Sequence, residues 1–260
     1  MDEVERFPVT RITEEGRNES EDTIVREFPL TISLNNQELV TLLCTPANLK
    51  YLAVGFLFSE GLLKDRNEIK KIVVDDQRGV VWVETKEDRV VNNEFLSKRL
   101  ITSGCGRGAS FYSLADIQSQ AKIESQVQVS PQEIFSLVNG FQHHSDIYRS
   151  THGVHSAALC DKKNILLFAE DIGRHNAIDK VFGECILKDI PTGDLIMVVS
   201  GRISSEMLLK VVKRSIPILI SIAAPTNLGV RLANDLDMTL VGFVRGKRMS
   251  VYSGKWRITS

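Results

Sequence analysis

The stretch LIMVVSGRISSEMLLKVVKRSIPILISIAAPTNLGVRLANDLDMTLVGFV, residues 195–244, decides the fold. Its apolar runs 195–199, 218–223 and 239–244 are short and rich in Val, Ile and Leu, as strands are, while the segments opening near Ser205 and Asn227 have helical spacing. Strands alternating with helices over short connections imply a parallel, α/β-type sheet. Immediately upstream, 154–159 and 164–169 read as a hairpin, and a helix from about Asn176 leads into the first of the three strands.

Open α/β sheets bind ligands beyond the carboxyl ends of their strands. Four segments fall there: 170–176, 200–204, 224–227 and 242–248. They are richer in Gly, Arg, Ser, Thr and Asn than the strands they follow. A polar edge faced by helix N-termini suits an anionic, phosphate-bearing ligand.

Towards the N-terminus the pattern changes. Residues 1–21 show little hydrophobic periodicity and read as a flexible arm, with order beginning near Thr23. Runs 28–34 and 38–43 are strand-like around a turn of Asn35, Asn36 and Gln37. Thr45 is placed to cap a helix with Pro46 at its start, and Leu49, Leu52, Ala53, Phe56 and Leu57 recur at helical spacing until Gly61. Residues 72–74 and 80–85 suggest a second hairpin. Ser130, Pro131 and Glu133 open a helix to about His143 with a capping box. The expected division is an arm at 1–21, an N-terminal α+β region at 22–129 and an α/β domain at 130–260.

With 260 residues, 43% hydrophobic and 25% charged, the chain can bury a sizeable core in one large or two modest domains. A formal net charge of -1 gives no broad attraction to nucleic acid or an acidic membrane, so anion binding must come from local basic loops. No apolar run reaches the roughly 20 residues of a membrane span, and residues 1–21 are acidic and polar where a secretory signal is basic and then apolar. A cytoplasmic location is expected.

The four cysteines, Cys44, Cys105, Cys160 and Cys185, are too scattered for a disulfide framework and are read singly. Cys105 sits in Ser103, Gly104, Cys105, Gly106, Arg107, Gly108, where glycines expose the sulfur and Arg107 and Arg99 favour the thiolate. The bland alternative is a glycine-rich linker. Cys44, Cys160 and Cys185 read as buried packing. No CxxC, HxE or HxxxH spacing supports a metal site.

Glu170, Asp171, Ile172, Gly173, Arg174, His175 and Asn176 crowd one turn. Either Arg174 and Asn176 hold phosphate or a base edge while His175 moves protons, or the turn is a self-paired helix cap. Ser200, Gly201 and Arg202, with Glu206 behind them, are plausible ligand contacts, as is Thr226 in the next segment. His152 and His155 read first as structural histidines, with a role for His155 at the same sheet edge left open. Arg245, Lys247 and Arg248 around Gly246 make a basic loop suited to a pyrophosphate, or else a solvated charged turn.

Taken in order, EFPLTISLNN (27–36), TPANLKYLAVGFLFSEGLL (45–63), TSGCG (102–106), GVHSAAL (153–159), EDIGRHNAIDKVFG (170–183), SGRISSEM (200–207), AAPTNLGVRLA (223–233) and LVGFVRGKRMSVY (240–252) resemble the formate dehydrogenase accessory sulfurtransferases, the FdhD family. The resemblance runs from about Phe28 to Tyr252. It implies a cytidine deaminase-like mixed sheet flanked by helices, with a smaller N-terminal α+β region, in a homodimer. It further implies a sulfurtransferase: a cysteine desulfurase loads Cys105 as a persulfide, and the sulfur passes to molybdenum bis(molybdopterin guanine dinucleotide), a bound substrate destined for formate dehydrogenase. The family's cofactor-contacting stretch maps onto Phe243, Val244, Arg245, Gly246, Lys247 and Arg248.

One departure is visible. Many relatives carry CGxCG, whereas Gly108 stands here where the second Cys would be. A resolving disulfide within the loop is thereby excluded, while one thiolate suffices to accept and release a sulfane sulfur. Two other functions fit parts of the sequence: a cofactor-binding chaperone without transferase chemistry, and a nucleotide hydrolase or deaminase using Cys105 with His155 or His175.

Overall fold

The computed structural model describes residues 2–87, 100–101, 109–110 and 122–260. Arg99, Cys105, Arg107 and Gly108 therefore lie outside the described residues.

Strands β1 (Val4–Thr13) and β2 (Gly16–Val25) form an antiparallel hairpin with an unbroken register from Val4↔Val25 to Thr13↔Gly16. This corrects the expectation of an arm without regular structure. The ribbon is mostly exposed on both faces, so its sequence carries no amphipathic alternation. Its regularity comes from the backbone ladder and from cross-strand polar pairs, among them Thr10 with Glu19 and Arg26 with Glu5.

Strands β3 (Phe28–Leu34) and β4 (Gln37–Cys44) pair across a two-residue turn. Asn35 and Asn36 both take positive φ (47° and 64°), the backbone such a hairpin turn requires and which asparagine tolerates. Strands β5 (Ile69–Asp75) and β6 (Val80–Thr85) complete a four-stranded sheet of order β4-β3-β6-β5. Helix α1 (Leu49–Ser59) covers it through Leu52, Ala53, Phe56 and Leu57. Its N-cap is Asn48, in a left-handed conformation, and not the predicted Thr45, whose groups are engaged elsewhere. The short strands β7 (Leu100–Ile101) and β8 (Ala109–Ser110) pair with Ile101 opposite Ala109.

The second half contains α2 (Pro131–His144), α3 (Asp146–Thr151), β9 (His155–Cys160), β10 (Ile165–Asp171), α4 (Arg174–Leu187), β11 (Ile196–Val199), α5 (Ser205–Val212), β12 (Ile218–Ser221), α6 (Asn227–Asp235), β13 (Thr239–Arg245) and β14 (Arg248–Ser253). Six strands order as β10-β9-β11-β12-β13-β14. Neighbours β11, β12 and β13 are parallel, as their helical crossovers dictate, while β9, β10 and β14 join antiparallel. The sheet is mixed and flanked by helices, as the resemblance implies. Ser130 caps α2 with the predicted capping box.

Helix α2 packs Ile134, Leu137, Val138 and Phe141 on one face of this sheet. Helices α4, α5 and α6 cover the other. Because α1 lies across the outer side of α4, nearly every residue of α4 beyond its first turn is buried, including Asp179 and Lys180. Glycines allow the crossing. A Cβ on Gly55 would sit 1.8 Å from the Asp179 carbonyl oxygen, and one on Gly183 would sit 1.9 Å from that of Tyr51. Among the described residues no helix is long and apolar enough to cross a membrane.

Candidate functional site

Register fixes which side chains share an edge. Asp171 pairs with His155, Val199 with Ala157, and β12 and β13 run parallel to β11. The ends of β10, β11, β12 and β13 therefore meet the start of β9. All four polar segments predicted from the sequence gather there.

The 170–176 turn divides its residues between structure and site. Asp171, fully buried, accepts from the Thr45 N–H at 3.1 Å, the Gly173 N–H at 2.8 Å and Asn176 Nδ2 at 2.9 Å, and pairs with Lys180 Nζ at 2.8 Å. Asn176 Nδ2 also donates to the Leu43 carbonyl at 2.9 Å. Asp171 and Asn176 thus hold the turn and bind it to the end of β4. Arg174 and His175 are left at the edge: Arg174 Nε and His175 Nε2 are buried with no hydrogen-bond partner among the described residues.

His175 Nε2 lies 3.7 Å from Glu206 Oε2, near enough to pair if the ring were charged. Burial first, then the cations Lys210 and Arg174, pull its pKa down to about 3. At neutral pH the imidazole is neutral and the contact is no ion pair. Burial and Arg174 likewise lower the pKa of His155.

On the α2 side of the same edge lies a cavity of about 430 Å3. Phe141, Tyr148 and His152 supply rings, Ile172 and Ile222 apolar walls, and Ser145, Ser156, Ser200 and His155 polar groups. Ser200 Oγ accepts from the Ser156 N–H at 2.9 Å and faces His155 Nδ1 at 3.4 Å. Gly201 is pressed between Arg174 and His155; a Cβ there would meet Arg174 carbons at 3.1 Å. Behind the cavity, Glu170 accepts from Ser145 and Ser156, and burial raises its pKa. Sequence spacing gave Ser145 and Tyr148 no prominence, because α3 is only six residues long and shows no periodicity.

The basic turn stands at the carboxyl end of β13. Arg245, Lys247 and Arg248 are exposed around Gly246 at φ 57°. Val244 is buried in the core under α2, so it offers a ligand only backbone. Phe243 is 44% exposed and takes φ 54°, a left-handed backbone that is rare for a bulky side chain, inside the register shift between Gly242 and Arg245. Arg202 is exposed, while Thr226 caps α6 by accepting from the Gly229 N–H.

Three cysteines are buried free thiols. Burial, with Asp171 adding to it, pushes Cys44 up to about 12, and burial with Asp161 does the same to Cys160. Burial also raises Cys185, against the pull of Arg214. Among the described residues no three His, Cys, Asp or Glu side chains come together as a metal site.

Residues 25–259 match the sequence model of the FdhD/NarQ family. The chain is 43% identical over 238 residues to the sulfur carrier protein FdhD of Bacillus subtilis (strain 168), covering 92% of this chain and 91% of that one. It is 40% identical over 251 residues to the protein of the same name from Staphylococcus aureus (strain MRSA252), covering 96% and 95%. A crystal structure of a candidate formate dehydrogenase accessory protein from Desulfotalea psychrophila superposes with TM-score 0.83 at 27% identity, covering 99% of this chain and all of that one.

Proposed function

This chain belongs to the FdhD/NarQ family, and from that premise we propose that it is a cytoplasmic sulfur carrier serving formate dehydrogenase, with Cys105 as the carrying thiol. The carrying observation is one of exclusion. Cys44, Cys160 and Cys185 are buried and held protonated, so none supplies the thiolate that sulfur exchange needs. Cys105 is the one cysteine that remains, and its glycine-flanked, arginine-bearing surroundings suit the task.

In this scheme the Cys105 thiolate attacks the terminal sulfur of a cysteine desulfurase persulfide. One S–S bond forms as another breaks, and the desulfurase leaves as a thiolate. The Cys105 Sγ–S bond then breaks with Cys105 leaving as the thiolate, and the sulfane sulfur passes as sulfide to the molybdenum bis(molybdopterin guanine dinucleotide) cofactor, a substrate here, the two electrons coming from an external dithiol reductant that is oxidised to its disulfide. Arg245, Lys247 and Arg248 are placed to neutralise the cofactor's pyrophosphates, with Phe243 beside them and Arg174, His175 and Ser200 along the same edge. A homodimer supplies two such edges for a cofactor with two nucleotide arms.

The test is mass spectrometry after incubation with a desulfurase and cysteine. One added sulfur is expected on the peptide containing Cys105 and none after Cys105→Ala. Sulfur on Cys160 or Cys185 instead, or full formate dehydrogenase activity in cells whose only copy is Cys105→Ala, sinks the proposal; the latter leaves a cofactor chaperone.

A further inference from the structure

One buried contact ties the candidate site to a distant part of the chain. Thr45, with no exposed surface, follows the last residue of β4, and it is Asn48 that caps the helix beyond it. Its polar atoms turn instead to the far half of the sequence. The Thr45 N–H donates to Asp171 Oδ2 at 3.1 Å, and Lys180 Nζ donates to Thr45 Oγ1 at 2.6 Å. With that lone pair taken, the hydroxyl proton goes to Asp171 Oδ2 or to the Glu170 carbonyl, each 3.2 Å away. Every one of these bonds ends on residues 170–180.

The carboxylate of Asp171 carries the contact onward. Its Oδ2 faces Thr45, while Oδ1 accepts from the Gly173 N–H at 2.8 Å and from Asn176 Nδ2 at 2.9 Å. Arg174 and His175 stand between these two tethers. Arg174 Nε and His175 Nε2 make no hydrogen bond among the described residues, so the turn that carries the two side chains has the larger part in where they sit. A Cβ on Gly201 would meet Arg174 Cβ and Cδ at 3.1 Å, so a shift of the turn changes the fit of two neighbouring segments of the edge.

We propose that Thr45 is a positioning residue for the candidate site: through Asp171 its hydroxyl holds Arg174 and His175 in the arrangement that receives the anionic part of the ligand, and so couples that edge to the four-stranded layer. The inference rests on the reading of the edge as the place where the cofactor binds. Removing the hydroxyl takes a 2.6 Å acceptor from a buried ammonium and a donor from its buried surroundings. The side chains of Lys180 and Asp171 have no exposed surface, so the turn must shift to satisfy them. Such coupling is reciprocal: a ligand that fixes the turn also tightens the Thr45 contact.

Calorimetric titration of the full chain with guanosine diphosphate, which carries the base and pyrophosphate of the cofactor's arms, tests this in three variants. Thr45→Val has nearly the same volume without the hydroxyl, and is expected to raise Kd about tenfold. Thr45→Ser keeps the hydroxyl and is expected to stay within about twofold of the native chain. Ser59→Ala removes another buried hydroxyl of the four-stranded layer, the one that donates to Asp179 at 2.6 Å, and is expected to cost stability while leaving Kd unchanged. Hydrogen exchange of the native chain adds a measurement that needs no substitution: the nucleotide is expected to slow exchange of the Thr45 N–H. Native affinity in Thr45→Val, a loss in Thr45→Ser or Ser59→Ala as large as in Thr45→Val, or a Thr45 N–H indifferent to the nucleotide overturns the inference and leaves the cofactor edge standing. A native chain that binds no guanosine diphosphate removes the reading of the edge itself, and this inference with it.

Discussion

At the scale of single residues, environment outweighs residue type. His175 looks on paper like a proton shuttle, yet burial and neighbouring cations hold its ring neutral far below the usual pH of histidine titration. The sign of the stability effect follows. A folded-state pKa lowered from 6.5 to about 3 stabilises the fold fully above pH 6.5, and that contribution is lost as pH falls towards 3. The loss is on the order of 1.4 kcal/mol per pH unit inside that window. Denaturant unfolding of the native chain and of His175→Gln between pH 7 and 4 is expected to show a steeper decline for the native chain. Parallel declines show that His175 does not titrate in this window.

At the scale of elements, the crossing of α1 over α4 turns a familiar rule around. Alanine for glycine inside a helix ordinarily stabilises by about 1 kcal/mol. Here the added methyl would stand 1.9 Å from the Tyr51 carbonyl oxygen at Gly183, and 1.8 Å from that of Asp179 at Gly55. Gly183→Ala is therefore expected to destabilise by about 1–3 kcal/mol as the helices are forced apart; a rise in thermal midpoint contradicts this close crossing. Local signals made much of the fold legible: the Asn35–Asn36 turn, the capping box at Ser130 and the strand-helix alternation of 195–244 each needed only neighbours in sequence. Thr45 departs from its local signal for the opposite reason. It has a capping residue's chemistry, but its partners Asp171 and Lys180 are more than a hundred residues away. Likewise the polar edge followed from topology, while the cavity did not, because Ser145, Ser156 and Glu170 meet only through tertiary pairing. The β1–β2 ribbon was hidden because it buries too little to leave a pattern.

At the scale of the whole molecule, the question is whether residues 22–129 and 130–260 unfold as independent domains. Charges buried between them argue that they do not. Lys180 has no exposed side-chain surface and binds both Asp171 and Thr45 Oγ1, the latter at 2.6 Å from the end of the four-stranded sheet. Asp179, 1% exposed, binds Lys210 Nζ at 2.6 Å and accepts from Ser59 Oγ of α1 at 2.6 Å. Lys213 reaches the Ser59 carbonyl at 2.6 Å. Loss of the N-terminal layer strips partners from buried ions, and an unpaired buried ion costs far more than the pair contributes. Asp179→Ala is thus expected to destabilise by about 3–5 kcal/mol, and much of that is expected to return in Asp179→Ala with Lys210→Met, where no charge is stranded. The two tryptophans provide separate reporters, Trp82 on β6 of the four-stranded sheet and Trp256 just beyond β14 of the six-stranded one. In Trp82→Phe and Trp256→Phe chains, fluorescence is expected to give coincident denaturation midpoints, both shifting together when Asp179→Ala is added. Two separated midpoints, with only one moved by Asp179→Ala, make the layers independent domains and the buried ion pairs a local feature of α4.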